Sequence, residues 1–545
     1  MVLAGLLSCL TLTFHRVDGR RAESSTHSPP TLGPVSKLVI SDRQISPDGF
    51  PRLATVVNGI TPGPLIMAKK GDDFRVTVEN ELDDPSLAEA TSVHWHGIFQ
   101  HGSSWADGTS FVSQCPLIPD ESFTHAFNAQ DQAGTYFYHS HYKTQFCDGL
   151  RGPLVIYDPE DPHLDKYDVD DENTVITLTD WYHQLSPELA DKYAPIISNT
   201  TLINGKGRYK GGPSEPLSVI EVEHGKAYRF RVVGMSCDRQ FDFSIAEHTM
   251  TIIEVDGITI EPVEADIVTV FSGQRYSIVV RANQAVGNYW VRARPPDAMR
   301  PFTGGRNSAI LRYTGADHSD PASQESEFDD DLVTPLLTPL TDSMIHPLVS
   351  PGAPGVPEIG QADVNINFEL GNRNGLFTMN NVSFKPPSTP VLLQILNGRV
   401  HPSDIMPRGS VYELPLNKTI ELSFPTTDAV PGWPHPIHLH GHVFDVVRSA
   451  GEEEPNFYNP ARRDTVSLGN PGDNVTIRFV TDNVGPWFLH CHNDWHLLHG
   501  FAVVLAEGTR RTEHLRGRSD SWENLCPAYS AYGNSSEGAL SSLPH

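Results

Sequence analysis

Five H-x-H pairs, at 94/96, 139/141, 438/440, 440/442 and 490/492, fall within four short strings of a 545-residue chain. The strings read HWHG (His94–Gly97), HSH (His139–His141), HPIHLHGH (His435–His442) and HCHNDWH (His490–His496). With 25 histidines in the chain, chance gives roughly one such pair. On an extended strand, residues i and i+2 share a face, so each pair offers two imidazoles to one metal cluster. A fold that uses them must hold extended backbone at all four places.

His490, Cys491 and His492 constrain the chain further. Alternation along a strand sends Cys491 to one face and both histidines to the other. One strand then links a thiolate-bound metal to a separate histidine-bound metal, an arrangement suited to one-electron transfer. A His2Cys set with a weak axial neighbour favours copper. Structural zinc uses compact tetrahedral sets, often with C-x-x-C pairs. No C-x-x-C pair occurs in the chain, and ten histidines with one cysteine are too many ligands for one zinc.

Strand signals dominate elsewhere. FRVTVEN, NTVITLTDW, YRFRVVG, RYSIVVRA, NYWVRARP, TIELSFP, NVTIRFV and FAVVLAEG are short and rich in β-branched or aromatic residues. Clusters of Gly, Pro, Asn and Asp separate them, and with 43 Gly and 44 Pro long helices do not organise the fold. This is an all-β pattern of sandwiches or barrels. The length calls for several cores, and composition breaks place domains at 35–162, 163–330 and 335–527, with a flexible tail over 528–545. The Pro- and Gly-rich stretch 350–360 reads as a loop within the third block. RVTVEN, RFRVVG and TIRFVTDN resemble one another as strands leading into polar turns.

A net charge of −27 argues against nucleic acid or anionic membranes as partners, and no apolar stretch is long enough to span a bilayer. Residues 1–22 read as a signal peptide, with an apolar run from about Val2 to Phe14. Sequons at Asn199, Asn381, Asn417, Asn474 and Asn534 fit a secreted glycoprotein. Of six cysteines, Cys9 lies in the leader and Cys491 in the metal run. Cys115, Cys147, Cys237 and Cys526 remain, an even number compatible with two disulfides in an oxidising compartment; spacing leaves all three pairings open. A monomer is expected.

All four histidine strings, in this order, resemble the copper-binding segments of multicopper oxidases. WADGTSFVSQCPL, HSHYKTQFCDGLRGPLVIYD, TLINGKGRY and DNVTIRFVTDNVGPWFLHCH are similar to fungal laccases, especially those of basidiomycete type. The resemblance covers the chain after about residue 35 and implies three cupredoxin-like Greek-key β-barrel or sandwich domains. It implies four copper ions. Type 1 copper takes His435, Cys491 and His496, and type 2 copper takes His94 and His438. One type 3 copper takes His96, His139 and His492, the other His141, His440 and His490. Phe501 takes the axial type 1 position, where a side chain unable to bind copper raises the potential. Asp107 is placed near the three-copper cluster as an acid that helps deliver protons, and Asp494 beside the ligand run. The resemblance also pairs Cys115 with Cys526 and Cys147 with Cys237. His442 falls outside the ligand sets and reads as a packing residue, as do His101, His125 and His499.

The chain departs from the laccase pattern in two places. Pro216 stands where an acidic substrate contact is expected, so Glu215 is the candidate to replace it, beside His496 as the exposed ligand edge. Asn493 occupies a position that is usually apolar, and LLHG replaces LEAG; a polar group there eases solvation of Cu(II) and lowers the potential. The expected function is a secreted laccase that oxidises phenols or aromatic amines and reduces O2 to water, with lignin among its conceivable targets. The alternatives are a ferroxidase, which needs an acid cluster beside type 1 copper, and a copper carrier, which has no use for His94, His96, His139 and His141.

Overall fold

Alternating burial builds the outer sheets. In Asp73–Glu81, Phe74, Val76, Val78 and Asn80 point into the core while Asp73, Arg75 and Glu81 face solvent. The strands nearest the metal ligands break this rule. Gly134–Ser140 and Gly485–Cys491 are buried on both faces, because each lies between a hydrophobic core and the histidine groups.

The structure is a computed structural model that describes residues 30–190, 192, 196–238, 240–296, 301–322, 338–350, 352–399, 401–511, 515 and 517–533. The leader at 1–22 and Asn534 lie outside the described residues. The strands form three cupredoxin-like domains, each with two main sheets. Sheets of four and five strands make the first domain, six and five the second, and five and five the third, which adds one two-stranded ribbon. Each domain ends on a strand that pairs parallel with an earlier one. Leu65–Lys69 pairs with Arg151–Tyr157, Val219–Val222 with Ser308–Tyr313, and Val411–Leu414 with Ala502–Glu507. No helix among the described residues is long and apolar enough to cross a membrane.

The shared topology shows which strands correspond between domains. Asp73–Glu81 and Ala227–Gly234 each run parallel to one neighbour and antiparallel to the other. In the third domain the strand with this pairing is Thr419–Pro425, not the TIRFVTDN strand Asn474–Val480, which lies one place over. Similar alternation made the two look alike.

The second and third domains share one continuous core. The first domain has its own, sealed by Leu392 of the third domain and by Leu515, Trp522 and Leu525 near the C-terminus. The last helix, Asp520–Gly533, therefore packs on the first domain, and Cys526 on it is bonded to Cys115. Residues 528–533 are helical and not a loose tail. The Tyr529 ring lies 5.7 Å from that of Phe111 and its hydroxyl 3.2 Å from that of Tyr142, while Tyr532 donates to Glu89. The second disulfide, Cys147–Cys237, ties the first domain to the second.

Candidate metal centres

Strand register assembles the histidines. In the first domain Val93–His96 pairs with Gly134–Ser140, and His94 lies opposite His139. In the third, Pro436–Leu439 pairs with Gly485–Cys491, and His438 lies opposite His490. Opposed residues on antiparallel strands share a face, so each domain presents a four-histidine edge. The edges meet ring to ring: His94 stacks on His440 at 3.9 Å and His96 on His438 at 3.8 Å.

Four groups of donor atoms result. His141, His440 and His490 form one, and His96, His139 and His492 another. His94 and His438 meet beside His96. His435, Cys491 and His496 stand apart in the third domain. The side chains flanking Cys491 part as strand alternation requires: Cys491 faces the group inside its own domain, while His490 and His492 face the cluster between domains, each in a different group.

The nitrogens show what these groups fit. His490 Nδ1 donates to the Cys491 carbonyl at 2.9 Å, and His440 Nδ1 donates to Asp107 Oδ2 at 3.0 Å. Both Nε2 atoms then carry lone pairs, yet they lie 3.1 Å apart. Two lone pairs held face to face in a buried site repel unless a cation lies between them. His94 and His438 repeat the pattern: Nδ1 donates to the carbonyls of Asp107 and Asp464, and the buried Nε2 has no hydrogen-bond partner. In the mononuclear group, His435 Nδ1 and His496 Nδ1 are 3.0 Å apart and Cys491 Sγ is 3.7 Å from each. Edges of this length suit a metal held at about 2.0 Å by nitrogen and about 2.3 Å by sulfur. Imidazole and thiolate donors suit copper.

Burial keeps the imidazoles neutral. It pushes His96, His139, His141, His438, His440 and His492 well below the usual histidine range, with neighbouring histidines adding to the effect. His435 and His490 fall to about 3, chiefly through burial. Neutral rings keep the lone pair a metal needs. Burial pushes the Cys491 thiol up, against the Asn493 N–H that favours thiolate, and the Asp238 charge adds to the rise. A cation at the sulfur acts in the opposite sense.

A short helix, Asp494–Leu498, sets His496. Asn493 caps it, its Oδ1 accepting from the His496 N–H at 3.3 Å. The helix stops at Gly500, at φ 89°, where a Cβ would fall 1.9 Å from Ser383 Oγ. The chain then returns so that Cys491 N–H donates to the Phe501 carbonyl at 3.0 Å. The buried Phe501 ring lies 5.1 Å from that of His435 and stacks on Phe377, which covers His496 at 4.5 Å. Phe501 and Phe377 thus give this group apolar walls.

The remaining candidates divide. Asp107 touches the cluster directly: Oδ2 accepts from His440 and from Thr109 Oγ1 at 2.7 Å, and Oδ1 lies 3.3 Å from His94 Nδ1. Asp494 walls a small cleft with His139, His141, His490 and His492. Burial raises its carboxyl well above the usual range, with Asp148 and Asp180 adding repulsion. Glu215 is half-buried beside the first domain. Its carbonyl accepts from Arg208 Nε at 2.6 Å, and its side chain packs on the turn at Gly49. Asp238 accepts from Asn493 Nδ2, at the N-terminal cap of the helix that carries His496. Sequence reasoning missed it; its signal was adjacency to Cys237, whose carbonyl accepts from Asp494 N–H at 2.8 Å and draws this loop to the ligand helix. His125 and His499 donate to backbone carbonyls, His442 pairs with buried Glu507, and His101 lies edge-on to Phe99. Asn199, Asn381 and Asn417 are exposed, whereas Asn474 is half-buried in a strand.

Three family models, each described as multicopper oxidase, match residues 39–161, 172–316 and 384–511. Laccase-4 of Trametes villosa is 51% identical over 92% of this chain and 95% of its own length. Laccase-2 of Pleurotus ostreatus is 49% identical over 98% and 99%. Among solved structures, the laccase from Botrytis aclada has a TM-score of 0.77 at 30% identity, covering 94% of each chain. Fet3p, a multicopper oxidase that functions in iron import, has a TM-score of 0.79 at 26% identity, covering 92% of this chain and 95% of its own. The lone-pair geometry of the histidine groups and these matches along nearly the whole sequence agree: the chain belongs to the multicopper oxidase family.

Proposed function

We propose that this chain is a secreted laccase that takes single electrons from phenols or aromatic amines and uses four of them to reduce one O2 to two waters. The observation that carries the reading is the position of Cys491, in one donor group and flanked by a member of each of two others. His435, Cys491 and His496 hold type 1 copper, and His94 and His438 hold type 2. His96, His139 and His492 hold one type 3 copper, and His141, His440 and His490 the other. Copper bound there supplies one-electron redox chemistry, joining one-electron donors to a four-electron acceptor.

The chain's own residues supply position and protons. His496 receives the donor at its partly exposed edge, and Cys491, in the same donor group, is bonded through the backbone to His490 and His492 of the cluster. A phenol that loses an electron also loses its hydroxyl proton. Asp238, linked to the His496 loop through Asn493, takes it, while Glu215 remains the candidate acidic substrate contact beside Pro216. Four such oxidations release four electrons and four protons, the number one O2 needs to become two waters. Asp107, on His440 and His94, and Asp494, in the cleft beside His139, His141, His490 and His492, are the acids that would relay protons at the cluster. Secretion rests on the leader-like first 22 residues, the exposed sequons and the two disulfides.

The test is oxygen uptake on copper-counted protein with a phenol series and with Fe(II) in parallel. A laccase turns over phenols faster and takes up one O2 per four phenols. Faster turnover on Fe(II) makes it a ferroxidase, as the likeness to Fet3p allows. One copper per chain without oxygen uptake makes it a carrier.

A further inference from the structure

The second domain supplies no atom to the four donor groups among the described residues, yet one of its turns reaches into the cluster. The turn lies between the strands Val268–Val270 and Arg275–Arg281. Its last three residues and the first residue of the following strand each make a different contact. Arg275 donates through both terminal nitrogens to Asp464, at 2.7 and 2.8 Å, and through Nε to the Thr135 carbonyl on the His139 strand at 2.9 Å. Gln274 donates to the Thr465 carbonyl at 3.1 Å. Gly273, at φ 89°, packs so closely that a Cβ would lie 3.0 Å from both His492 Cδ2 and His96 Cε1. Ser272 Oγ lies 2.9 Å from His492 Nδ1.

The direction of that last bond follows from counting hydrogens. Ser272 has one hydroxyl proton, and it goes to the Ser236 carbonyl. Its oxygen therefore accepts from His492 Nδ1–H. The bond fixes the ring so that Nε2 faces the group it shares with His96, whose Nδ1 is 3.1 Å away. His490, on the other side of Cys491, is held differently, by the carbonyl of Cys491 itself. One route out of Cys491 is anchored within its own strand. The other is anchored by a hydroxyl 220 residues away in a different domain.

We propose that Ser272 is a positioning residue for electron delivery: by fixing the His492 ring, it makes the His492 route, and not the His490 route, depend on docking of the second domain. The inference rests on the reading of His492 as a cluster ligand. Both are tested on full-length, copper-counted Ser272→Ala and Ser272→Thr beside the parent enzyme. The mononuclear centre is reduced by a flash under anaerobic conditions, and its reoxidation by the cluster is timed. Ser272→Ala should remove the His492 route and slow the transfer to the rate that the His490 route, held by the Cys491 carbonyl, carries alone. Phenol KM and mononuclear potential should stay unchanged, and Ser272→Thr, which keeps the hydroxyl, should restore the rate. Loss of cluster copper from Ser272→Ala overturns the proposal, because the bond then serves metal retention and not the electron route. A copper-replete Ser272→Ala with the parent's transfer rate overturns it. If Ser272→Ala does not fold, Ser272→Cys, with its weaker acceptor, is read the same way, an unchanged rate again being the contrary result. A parent enzyme without cluster copper refutes the ligand assignment instead.

Discussion

The mononuclear group and the three-metal cluster share one strand but are built in opposite ways. The first is local. Its three donors all come from the third domain, and Cys491 and His496 are five residues apart, held by one capped turn of helix. The cluster is an interface. Its histidines come from the first and third domains, and a buried ionic network spans all three: Arg275 grips Asp464, Asp464 lies 3.4 Å from His96, and Arg463 pairs with Asp256. A site made within one loop survives changes in how domains sit together; a site made between domains does not.

That contrast ranks the expected effects. Arg275→Ala should be the most damaging. It leaves Asp464 buried without its charge partner, a loss of about 3–5 kcal/mol. Copper analysis with absorption spectra should show the cluster ions depleted while the blue centre persists; equal loss of both would break the distinction. Trp522→Ala removes a buried indole from the seal on the first domain, costing about 3 kcal/mol. Thermal unfolding followed by cluster and blue-centre signals should show the cluster failing first. Asp238→Asn should lower kcat/KM for phenols by about a hundredfold, as loss of a general base does. It should leave a proton-free one-electron donor such as ferrocyanide unaffected, and a matched loss on both donors would return Asp238 to a structural role. Phe501→Met, which offers a weak sulfur ligand to the mononuclear ion alone, should lower its potential in a redox titration without changing the cluster.

The local site was the more legible of the two in the sequence. Strand alternation alone separates Cys491 from His490 and His492, and the H-x-H pairs announce their strands. Phe501 is placed by the family resemblance alone; the short helix and the glycine stop that bring its ring beside His435 are what the structure adds. The parts that escaped depend on long-range docking. Asp238 reaches the helix that carries His496 because the Cys147–Cys237 bridge and the Cys237 carbonyl carry it there, and no local pattern marks that. Glu215 is a candidate because it adjoins Pro216, where the resemblance expects an acid; that its side chain lies beside Gly49 of the first domain cannot be read from the sequence. Residues 528–533 read as a polar tail because their partners, Phe111, Tyr142 and Glu89, lie far away in sequence. The likeness of RVTVEN, RFRVVG and TIRFVTDN does not identify the equivalent strands, because alternation marks a strand without saying which neighbours it pairs with.

The central claim is that electrons enter at one copper and leave at three others through Cys491. Cys491→Ser tests it most directly, with copper counted and oxygen uptake measured on the same full-length preparation. The account predicts loss of the blue absorbance and of phenol-driven oxygen uptake, with the three cluster ions still bound. Retained phenol-driven uptake, or loss of the cluster ions along with the mononuclear one, would contradict it.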